Sequence, residues 1–502
     1  MTRRSLITAA AMLGMFLAAM DQTVVGTAMP TIIKALGGLA LYSWVFAAYQ
    51  LAFVTTTPIF GRIADLYGRK RIYLAGILGF IGTSMLCGLS HSMDQLVLFR
   101  LLQGIGGGAV LPIALTIIAD LYPVEQRLRI QGIFSGVWGL AAVVGPLLGG
   151  FFSDHISWRW IFFINVPIGL LTAVIIMITF EDPATAREGR IDYVGITLLA
   201  GAAVTLLLLL LWGGQAFPWR SLPVAGLCAV LIALFIQVEA RTPHPFLPFS
   251  LFADRVVSVG AVGGFLLGTS MFSAAVYIPL FAQGVIGTSA TTAGAVLIPF
   301  TVCWTLSSII AGRLALRSGY RPVTAIGMLI LVTGFFLLTR LGGQASIQQV
   351  VTAMIILGSG MGLTASIFMI SMQNAVSRPL RGLVTSLSIF TRNIGSAIGV
   401  SLQGAVLIGV LTSRLRALGG AANGGMPRIA DPHAALDPGV QMRFTPAGHE
   451  AFRQALAVAL HDIFLLGLVL VVLGLALVLV CMPAGSVREL APAGAAGGGE
   501  AD

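Results

Sequence analysis

Apolar stretches of roughly 20 residues recur along almost the whole chain, and short polar segments separate them. An α-helix of about that length crosses a hydrocarbon layer ~30 Å thick and satisfies its own backbone hydrogen bonds there. The pattern predicts fourteen membrane spans, at approximately 6–28, 42–61, 72–90, 95–119, 130–152, 158–180, 192–213, 221–239, 256–283, 290–312, 322–340, 347–371, 382–412 and 459–482. The first stretch continues regularly into the later ones, so we expect a span there and no cleaved signal peptide.

Two parts of the chain repeat each other. The segment G-R-I-A-D-L-Y-G-R-K at 61–70 returns as G-R-L-A-L-R-S-G-Y-R at 312–321, an offset of 251 residues. A second register, offset by 254 residues, matches Gly104, Gly106, Gly108, Arg127 and Gly145 with Gly358, Gly360, Gly362, Arg381 and Gly399. Duplicated halves are typical of transporters that rock about a central site. The expected fold is an all-α polytopic membrane protein of two six-helix bundles, related by a pseudo-two-fold axis, with two extra central helices.

The repeat sets the expected domain boundaries. Residues 1–182 form the first six-helix bundle, 183–243 a two-helix insert, and 244–484 the second six-helix bundle. The segment 413–458, rich in Gly, Pro and Ala, is expected to be mostly irregular and extracytoplasmic, and to become helical from about Phe452. The composition of residues 485–502 predicts a disordered cytoplasmic tail.

Composition agrees with a membrane protein and excludes several other classes. Hydrophobic residues make up 57% of the 502 residues and charged residues only 10%, too few to cover a soluble protein of this size. The net charge of +10 comes from loops, because 18 of the 29 basic residues fall in the segments that the positive-inside rule then places in the cytoplasm. We therefore expect both termini in the cytoplasm, a monomer surrounded by lipid, and no nucleic-acid partner.

The four cysteines fall inside predicted spans, without metal-ligand spacing, and are interpreted as buried apolar fillers: Cys87, Cys228, Cys303 and Cys481. No metal site or cofactor is expected. The spans also lack a Ser or Cys beside a base and a cluster of His, Asp and Glu, so an enzyme is not expected either. The two-bundle repeat disfavours a channel.

The cytoplasmic loop between spans 2 and 3 has the sequence G-R-I-A-D-L-Y-G-R-K-R. Gly61 and Gly68 permit a tight turn and close helix approach. Asp65 can accept charge-assisted hydrogen bonds from a basic group on the other bundle, for which Arg381 is a candidate. With Arg69 and Lys70, these residues form an expected conformational latch on the inward side; the alternative is a loop that only sets the topology.

Several of these segments together resemble one family. M-D-Q-T-V-V-G-T-A-M-P at 20–30, the 61–71 loop, R-L-L-Q-G-I-G-G-G-A at 100–109, G-P-L-L-G-G at 145–150 and W-R-W-I-F-F-I-N-V-P-I-G at 158–169 resemble motifs of the major facilitator superfamily. They are similar in particular to its fourteen-span drug:proton antiporter branch, the EmrB/QacA-like exporters. The resemblance implies a multidrug efflux antiporter of the bacterial inner membrane that confers antibiotic resistance, and makes Gly145, Pro146, Gly149 and Gly150 its antiporter motif.

Asp21 is the only acid deep in a predicted span, where an ionised carboxylate is costly unless it is paired or hydrated. It lies ~22 Å up span 1, and Arg100 lies ~8 Å below the outer end of span 4, so both can occupy one level. The resemblance implies that these spans line one cavity. We expect Asp21 to be the proton-binding carboxylate, with Arg100 and Gln103 modulating it, and the proton gradient to drive export. A structural Asp21–Arg100 tie is the alternative.

The remaining polar and aromatic residues in spans give weaker candidates for the substrate cavity: Gln50, Trp138, Gln283, Trp304, Gln373, Asn374, Phe390, Arg392 and Asn393. An apolar cavity with few polar anchors suits small hydrophobic or cationic compounds. The alternatives that keep the fold are export of a lipid or hydrophobic metabolite, and proton-coupled import. The scarcity of further membrane carboxylates disfavours dications as cargo.

Overall fold

The computed structural model describes residues 2–37, 41–182, 192–213, 218–242, 245, 247–288, 290–419 and 446–485, and the regular secondary structure in these ranges is helical. The helices are α1 (Arg3–Leu36), α2 (Tyr42–Tyr67), α3 (Arg69–Gly88), α4 (Met93–Leu121), α5 (Val124–His155), α6 (Trp160–Phe163), α7 (Asn165–Thr179), α8 (Tyr193–Gly213), α9 (Pro218–Arg241), α10 (Arg255–Phe281), α11 (Ala290–Ala295), α12 (Leu297–Ser318), α13 (Tyr320–Thr339), α14 (Ile347–Ala375), α15 (Arg381–Gly419) and α16 (Pro446–Cys481).

Eleven helices in the described ranges are long and apolar enough to cross a membrane, so the protein spans the membrane many times. The predicted count of fourteen is not confirmed. Helices α2 and α5 are long enough but are not among the eleven. The long apolar part of α10 is described only as two shorter pieces.

Two predicted spans are interrupted near a proline. Span 6 is divided into α6 and α7 at Ile164, and span 10 is divided into α11 and α12 at Val296. Pro167 and Pro299 each occupy the third position of the helix that follows, where the missing backbone N–H would have had no helical partner. The breaks are therefore placed where proline costs least.

The long segment after span 13 is helical at both ends. Helix α15 continues to Gly419, seven residues past the predicted end, and α16 begins at Pro446, before the predicted start near Phe452. The middle of the predicted irregular segment, 420–445, lies outside the described residues, as do 183–191 at the start of the insert and the predicted tail from 486 onward.

The two halves pack their helices in the same way. In the first half α4 packs on α2 and α3, and α5 packs on α1; in the second half α14 packs on α12 and α13, and α15 packs on α10. The matched glycines explain the closeness. A Cβ on Gly104 would lie 2.3 Å from the carbonyl oxygen of Tyr49, and a Cβ on Gly358 would lie 2.3 Å from that of Phe300. Small residues at these positions let backbones approach closely, as in other membrane helix pairs.

Cross-contacts close one end of the molecule. The N-terminus of α1, Gly68, Tyr122 and Gly319 lie at this end, which we call the basic end. Here α2 contacts α15, and a Cβ on Gly61 would lie 2.8 Å from the Gly382 carbonyl oxygen. Helices α5 and α12 also contact each other. The apolar core of the first half also includes Met369, Ile389 and Ile394 from the second half. The two halves are thus packed together on the basic side of the membrane.

Helix α8 of the insert does more than link the halves. It contacts both α2 and α15, and the Ser401 hydroxyl donates a hydrogen bond of 3.4 Å to the Leu210 carbonyl. It therefore lies along the seam between the two halves and covers it on one side.

Candidate functional site

A cavity of about 600 Å³ lies between the two halves, a volume suited to a drug-sized molecule. The described residues that line it are Met15, Gln22, Ala47, Gln50, Leu51, Phe53, Leu111, Leu115, Phe134, Trp138, Leu207, Leu210, Trp304, Ala365, Ser366, Met369, Arg392, Asn393, Ser396, Ala397, Val400 and Ser401. Most of them are apolar, and Arg392 is the only one of these described lining residues with a charged side chain.

The cavity lies on the pseudo-two-fold axis of the repeat. Four pairs of lining residues occupy positions that the repeat matches, with the offset of 251 for the first and 254 for the others: Phe53 with Trp304, Leu111 with Ala365, Leu115 with Met369 and Trp138 with Arg392. Each half therefore supplies a related wall, and the walls differ in chemistry at the last pair.

Five of the nine predicted cavity residues line the cavity: Gln50, Trp138, Trp304, Arg392 and Asn393. The other four do not line this cavity. Gln283 is exposed in the π-helical turn after α10, and Phe390 packs against the core of the first half. The buried amides are used for helix packing, because Gln373 donates to Thr385 at 2.9 Å and Asn374 accepts from Arg127 at 2.5 Å.

Other lining residues were not predicted from the sequence. Gln22 is a polar position in span 1, next to the acid that was singled out. Leu207 and Leu210 come from α8, so the insert contributes to the cavity wall. Nothing in the hydropathy of α8 distinguishes these two leucines from the neighbouring ones, and only the docking of α8 on α2 and α15 places them there.

Asp21 is fully buried on α1 and accepts hydrogen bonds from three side chains. The Arg100 guanidinium Nη1 donates to Oδ2 at 2.5 Å, Gln103 Nε2 donates to Oδ1 at 2.9 Å, and Asn165 Nδ2 donates to Oδ1 at 3.0 Å. The structure thus places Arg100 and Gln103 against Asp21, as the depth estimate predicted. Their part in proton coupling stays a prediction.

Arg100 is held from several sides. Its Nη1 also donates to Gln103 Oε1 at 2.8 Å, its Nε donates to the Val45 carbonyl at 3.4 Å, and its Cζ lies 4.3 Å from the centre of the Tyr49 ring. Only 1% of its surface is exposed. A charge pair buried this completely needs such additional hydrogen bonds to offset its desolvation.

Asn165 is the functional candidate that the sequence analysis did not single out. It lies at the start of α7, fully buried, and its amide donates both to Asp21 and to the Ser84 hydroxyl, at 3.0 Å each. The signal was an amide in the middle of an apolar span, within the quoted string W-R-W-I-F-F-I-N-V-P-I-G.

Helix α1 separates Asp21 from the cavity. Met15 and Gln22 line the cavity, whereas Asp21 faces α4 and α7. The carboxylate and the cavity are therefore on two sides of the same helix, one residue apart in sequence.

The predicted antiporter motif packs α5 against α1 close to this site. A Cβ on Gly145 would lie 2.0 Å from the Thr23 hydroxyl oxygen, and a Cβ on Gly149 would lie 2.0 Å from that of Thr27. Gly150 has no heavy atom within 4 Å of an added Cβ, so the expected tight contact does not extend to it. Pro146 lies in α5, with its side chain outside the described part of the structure.

The loop at 68–70 is fixed by an acid from a distant part of the chain. Gly68 adopts a φ of +96°, and Asp182 Oδ1 accepts from the backbone N–H groups of Arg69, at 2.9 Å, and Lys70, at 3.1 Å. Asp182 therefore caps the N-terminus of α3, where these backbone groups have no helical partner.

Asp65 crosses to the other half at the basic end, though with partners that differ from the expectation. Its carboxylate accepts from the backbone N–H groups of Gly382, at 3.2 Å, and Leu383, at 2.8 Å, and from the Arg69 guanidinium at 3.1 Å. The helix α15 thus binds the acid through its N-terminus, which favours negative charge. We expected the donor to be the Arg381 side chain, and that guanidinium lies 3.6 Å from Asp120 instead.

Asp120 lies one residue past the predicted end of span 4 and was not among the predicted site residues. Its side chain is only 2% exposed, and it pairs with Arg69 as well as with Arg381. Position along the helix therefore underestimated its burial, because the other half covers this end of α4.

The cysteines are only partly as expected. Cys87 and Cys228 are buried, Cys303 is partly exposed and Cys481 is exposed at the end of α16, so the last one does not fill a core. Within the described ranges, no group of three or more His, Cys, Asp or Glu side chains is arranged to hold a metal ion.

Comparisons with known proteins agree with this architecture. The family model described as Major Facilitator Superfamily matches residues 11–400. The chain is 38% identical over 409 residues to the multidrug transporter protein MdtP of Bacillus subtilis (strain 168), an alignment that covers 81% of this chain and 76% of that protein. It is 36% identical over 470 residues to multidrug resistance protein 3 of the same organism, which covers 92% of each chain.

A solved structure has a similar fold. The crystal structure of the human organic anion transporter MFSD10 (TETRAN) aligns with a TM-score of 0.62 over 94% of this chain and all of that chain, at 15% sequence identity. At this identity the likeness concerns the fold alone.

Proposed function

Because the chain belongs to the Major Facilitator Superfamily, and is therefore a membrane-spanning transporter rather than an enzyme, we propose that it exports hydrophobic or amphiphilic compounds in exchange for protons. The names of its relatives, a multidrug transporter and a multidrug resistance protein, support multidrug efflux. Such an exporter acts in the cytoplasmic membrane, with the basic end and both termini on the cytoplasmic side, and contributes to antibiotic resistance.

The observation that carries this proposal is the position of Asp21. Its carboxylate is the acid buried directly behind the cavity wall, and α1, the helix that bears it, presents Gln22 to the cavity. A proton on Asp21 neutralises the charge that holds Arg100, so protonation weakens the tie between α1 and α4. Loss of the proton restores the ion pair and the position of α1.

Helix α5 connects the Asp21 site with the second half of the molecule. Gly145 and Gly149 fix α5 on α1 beside Asp21, and α5 is also the helix that contacts α12 of the second half. A shift of α1 on protonation therefore moves α5, and with it the interface between the halves. In our proposal the proton enters from outside, the cavity then opens to the cytoplasm to take up cargo, and the proton leaves to the cytoplasm.

The contacts at the basic end stabilise one of the two states of the transport cycle, the state in which the cavity is closed on the basic side. Asp65 and the N-terminus of α15 hold the halves together there, so the cavity is closed on the basic side. Opening on that side breaks these hydrogen bonds. The alternation of the two states is the transport cycle that we propose.

Proteoliposomes test the coupling. Wild-type protein is expected to move the neutral dye Nile red against its gradient when protons flow in the opposite direction, and to release protons when the dye binds to the purified protein. Asp21→Asn should abolish both signals. Asp94→Asn, which changes an exposed acid at the start of α4, is the control and should leave both intact. Proton-driven efflux that persists in Asp21→Asn would contradict the assignment.

A further inference from the structure

Arg392 carries a charge in the cavity that no described side chain balances. It lies in the middle of α15 and lines the cavity, and none of the described residues forms a hydrogen bond or ion pair with its guanidinium. Its Nε is buried without a partner. The described lining contains no Asp or Glu, so the nearest walls offer only amides, hydroxyls and apolar groups.

An unpaired guanidinium in a largely apolar cavity is expensive. A charged group removed from bulk water costs several kcal/mol unless a partner compensates it. Arg100 is the other arginine deep in the membrane part of the chain. Its desolvation is compensated by an ion pair with Asp21. Arg392 lacks such a partner among the described residues, which indicates that its partner is the ligand.

The backbone that bears Arg392 is held rigidly. A Cβ on Gly268 would lie 2.1 Å from the Arg392 carbonyl oxygen, and a Cβ on Gly395 would lie 2.2 Å from the Phe265 carbonyl oxygen. Helices α10 and α15 are thus in backbone contact at this level. The backbone from which the Arg392 side chain extends is therefore held in place by the second half, so ligand binding spends no free energy on ordering that backbone.

The repeat places a different group on the facing wall. Trp138 is the first-half counterpart of Arg392, and both line the cavity. Asn393 and Ser396, on the same helix as Arg392, also line the cavity and add hydrogen-bonding groups to its wall. One wall therefore combines a positive charge with an amide and a hydroxyl, whereas the other has no charged side chain among its described residues and presents Trp138, Phe53 and Phe134 with aliphatic groups and the amides of Gln22 and Gln50.

We propose that the preferred ligands of the cavity are hydrophobic molecules with a single carboxylate, which binds Arg392 while the apolar body lies against Trp138, Trp304 and Met369. The guanidinium can donate two parallel hydrogen bonds to a carboxylate, and the interaction is strengthened in an apolar cavity. The same charge disfavours cations, so it selects against the cationic compounds that the sequence analysis included. This inference rests on the proposed function, since it makes the cavity the transport site.

Binding of three matched probes to purified full-length protein in lipid nanodiscs tests the inference. The probes are 1-pyrenebutyrate, its methyl ester and 1-pyrenebutyl-trimethylammonium, which share the aromatic body and differ in charge. Wild-type protein should bind the carboxylate at least about tenfold more tightly than the ester, as expected for one charge-assisted hydrogen-bonding contact. The cation should bind most weakly. Empty nanodiscs correct for partition of the probes into lipid.

Two substitutions of Arg392 and one of Trp138 test which residue causes the preference for the carboxylate over the ester. Arg392→Gln should bind the carboxylate and the ester with equal affinity, and Arg392→Lys should keep a preference for the carboxylate. Trp138→Leu should weaken binding of both probes equally, because it removes apolar contact and leaves the charge. Displacement of pyrenebutyrate by dodecanoate or by 2-naphthoate then separates a fatty acid from an aromatic acid as the source of the carboxylate.

The outcomes are distinct from those of the coupling test, since binding needs no proton gradient. A wild-type protein that binds the ester as tightly as the carboxylate, or that binds neither, would overturn the inference even if Nile red efflux is proton-driven. The same holds if Arg392→Gln, with unchanged thermal stability, keeps the preference. Carboxylate preference without any proton-driven efflux would sustain the ligand class and refute the transport cycle.

Discussion

Arg127 of α5 donates a hydrogen bond of 2.5 Å to the side-chain oxygen of Asn374 on α14, and this contact joins the two halves at the basic end. The repeat supplies its counterpart. Arg381 of α15 lies 3.6 Å from the carboxylate of Asp120 on α4, and both members of this pair are offset by 254 residues from those of the first. The halves therefore exchange reciprocal contacts, with an amide as the acceptor in one and a carboxylate in the other.

Conversion of that amide to an acid should strengthen the closed basic end. In Asn374→Asp, Arg127 gains an ionised acceptor, and the Tyr320 hydroxyl, which now accepts from the Asn374 amide, can donate to the carboxylate instead. We expect the population closed at the basic end to rise and transport to slow severalfold. Distances between spin labels at Arg71 and Arg317, exposed positions in different halves, measure the population once the native cysteines are replaced.

The opposite change, from acid to amide, can be made at Asp120, the position that the repeat matches with Asn374. Asp120→Asn removes the charge that faces Arg381 and Arg69, so the same label pair should show a larger open fraction. If both substitutions left the distance distribution unchanged, these pairs would not contribute to the latch.

Addition of one methyl group at Gly61 should prevent the halves from closing. A Cβ there would lie 2.0 Å from the Ser386 hydroxyl oxygen and 2.8 Å from the Gly382 carbonyl oxygen, so α2 and α15 must separate. Gly61→Ala is expected to lengthen the Arg71–Arg317 label distance and to reduce efflux at least about tenfold, a loss of ~1.4 kcal/mol.

Gly79→Ala is the matched control for Gly61→Ala. Gly79 lies in α3, and an added Cβ there has no heavy atom within 4 Å. Alanine should therefore be neutral or slightly stabilising by up to ~1 kcal/mol. Equal loss of efflux in the two variants would show that the loss does not come from the contact between the halves.

Removal of Arg100 should destabilise the protein more than removal of the whole ion pair. Arg100→Gln leaves the buried Asp21 without its charged partner, which typically costs about 3 to 5 kcal/mol, whereas the double change Asp21→Asn and Arg100→Gln leaves only neutral amides. Thermal unfolding in detergent, followed by tryptophan fluorescence, should rank the double variant above Arg100→Gln. The opposite order would mean that the pair is not energetically coupled.

The insert should influence ligand binding through α8. Leu207 lines the cavity, so Leu207→Trp places an indole in the ligand space and should weaken binding of pyrenebutyrate and of its methyl ester alike, by about tenfold or more. Leu227→Trp, on the exposed face of α9, adds the same side chain outside the cavity and should leave both affinities within twofold. Fluorescence titration in nanodiscs measures the difference, and unchanged affinity in Leu207→Trp would exclude α8 from the binding wall.

Most of the helices could be predicted from the sequence, because a membrane span requires a long apolar helix. The relation between the halves could be predicted because glycines recur at matching positions in the two halves. The pairing of Asp21 with Arg100 could also be predicted. A helix rises by a fixed amount per residue, so sequence position gives depth in the membrane, and a buried charge needs a partner at the same depth.

The partners of Asp65 could not be predicted in the same way. The sequence indicates an acid that faces the other half, and a side-chain cation is the obvious donor, so Arg381 was chosen. The helix N-terminus at Gly382 is an equally good donor that no side-chain pattern reveals, and its position depends on how α15 packs against α2. The helix-packing contacts of Gln373 and Asn374 could not be predicted for the same reason, because an amide in a span has the same sequence signature whether it faces a cavity or a neighbouring helix.

By itself the sequence determined the membrane class, the duplicated six-helix halves, the family and the acid that sits alone in span 1, since each of these follows from composition, spacing or local chemistry. Only the tertiary structure decided that Asn165 donates to Asp21, that α8 contributes to the cavity wall and that Arg392 faces a cavity whose described lining residues include no acid. These features depend on the rotation of each helix about its axis and on contacts between residues far apart in the chain, and both are set by packing across the two halves.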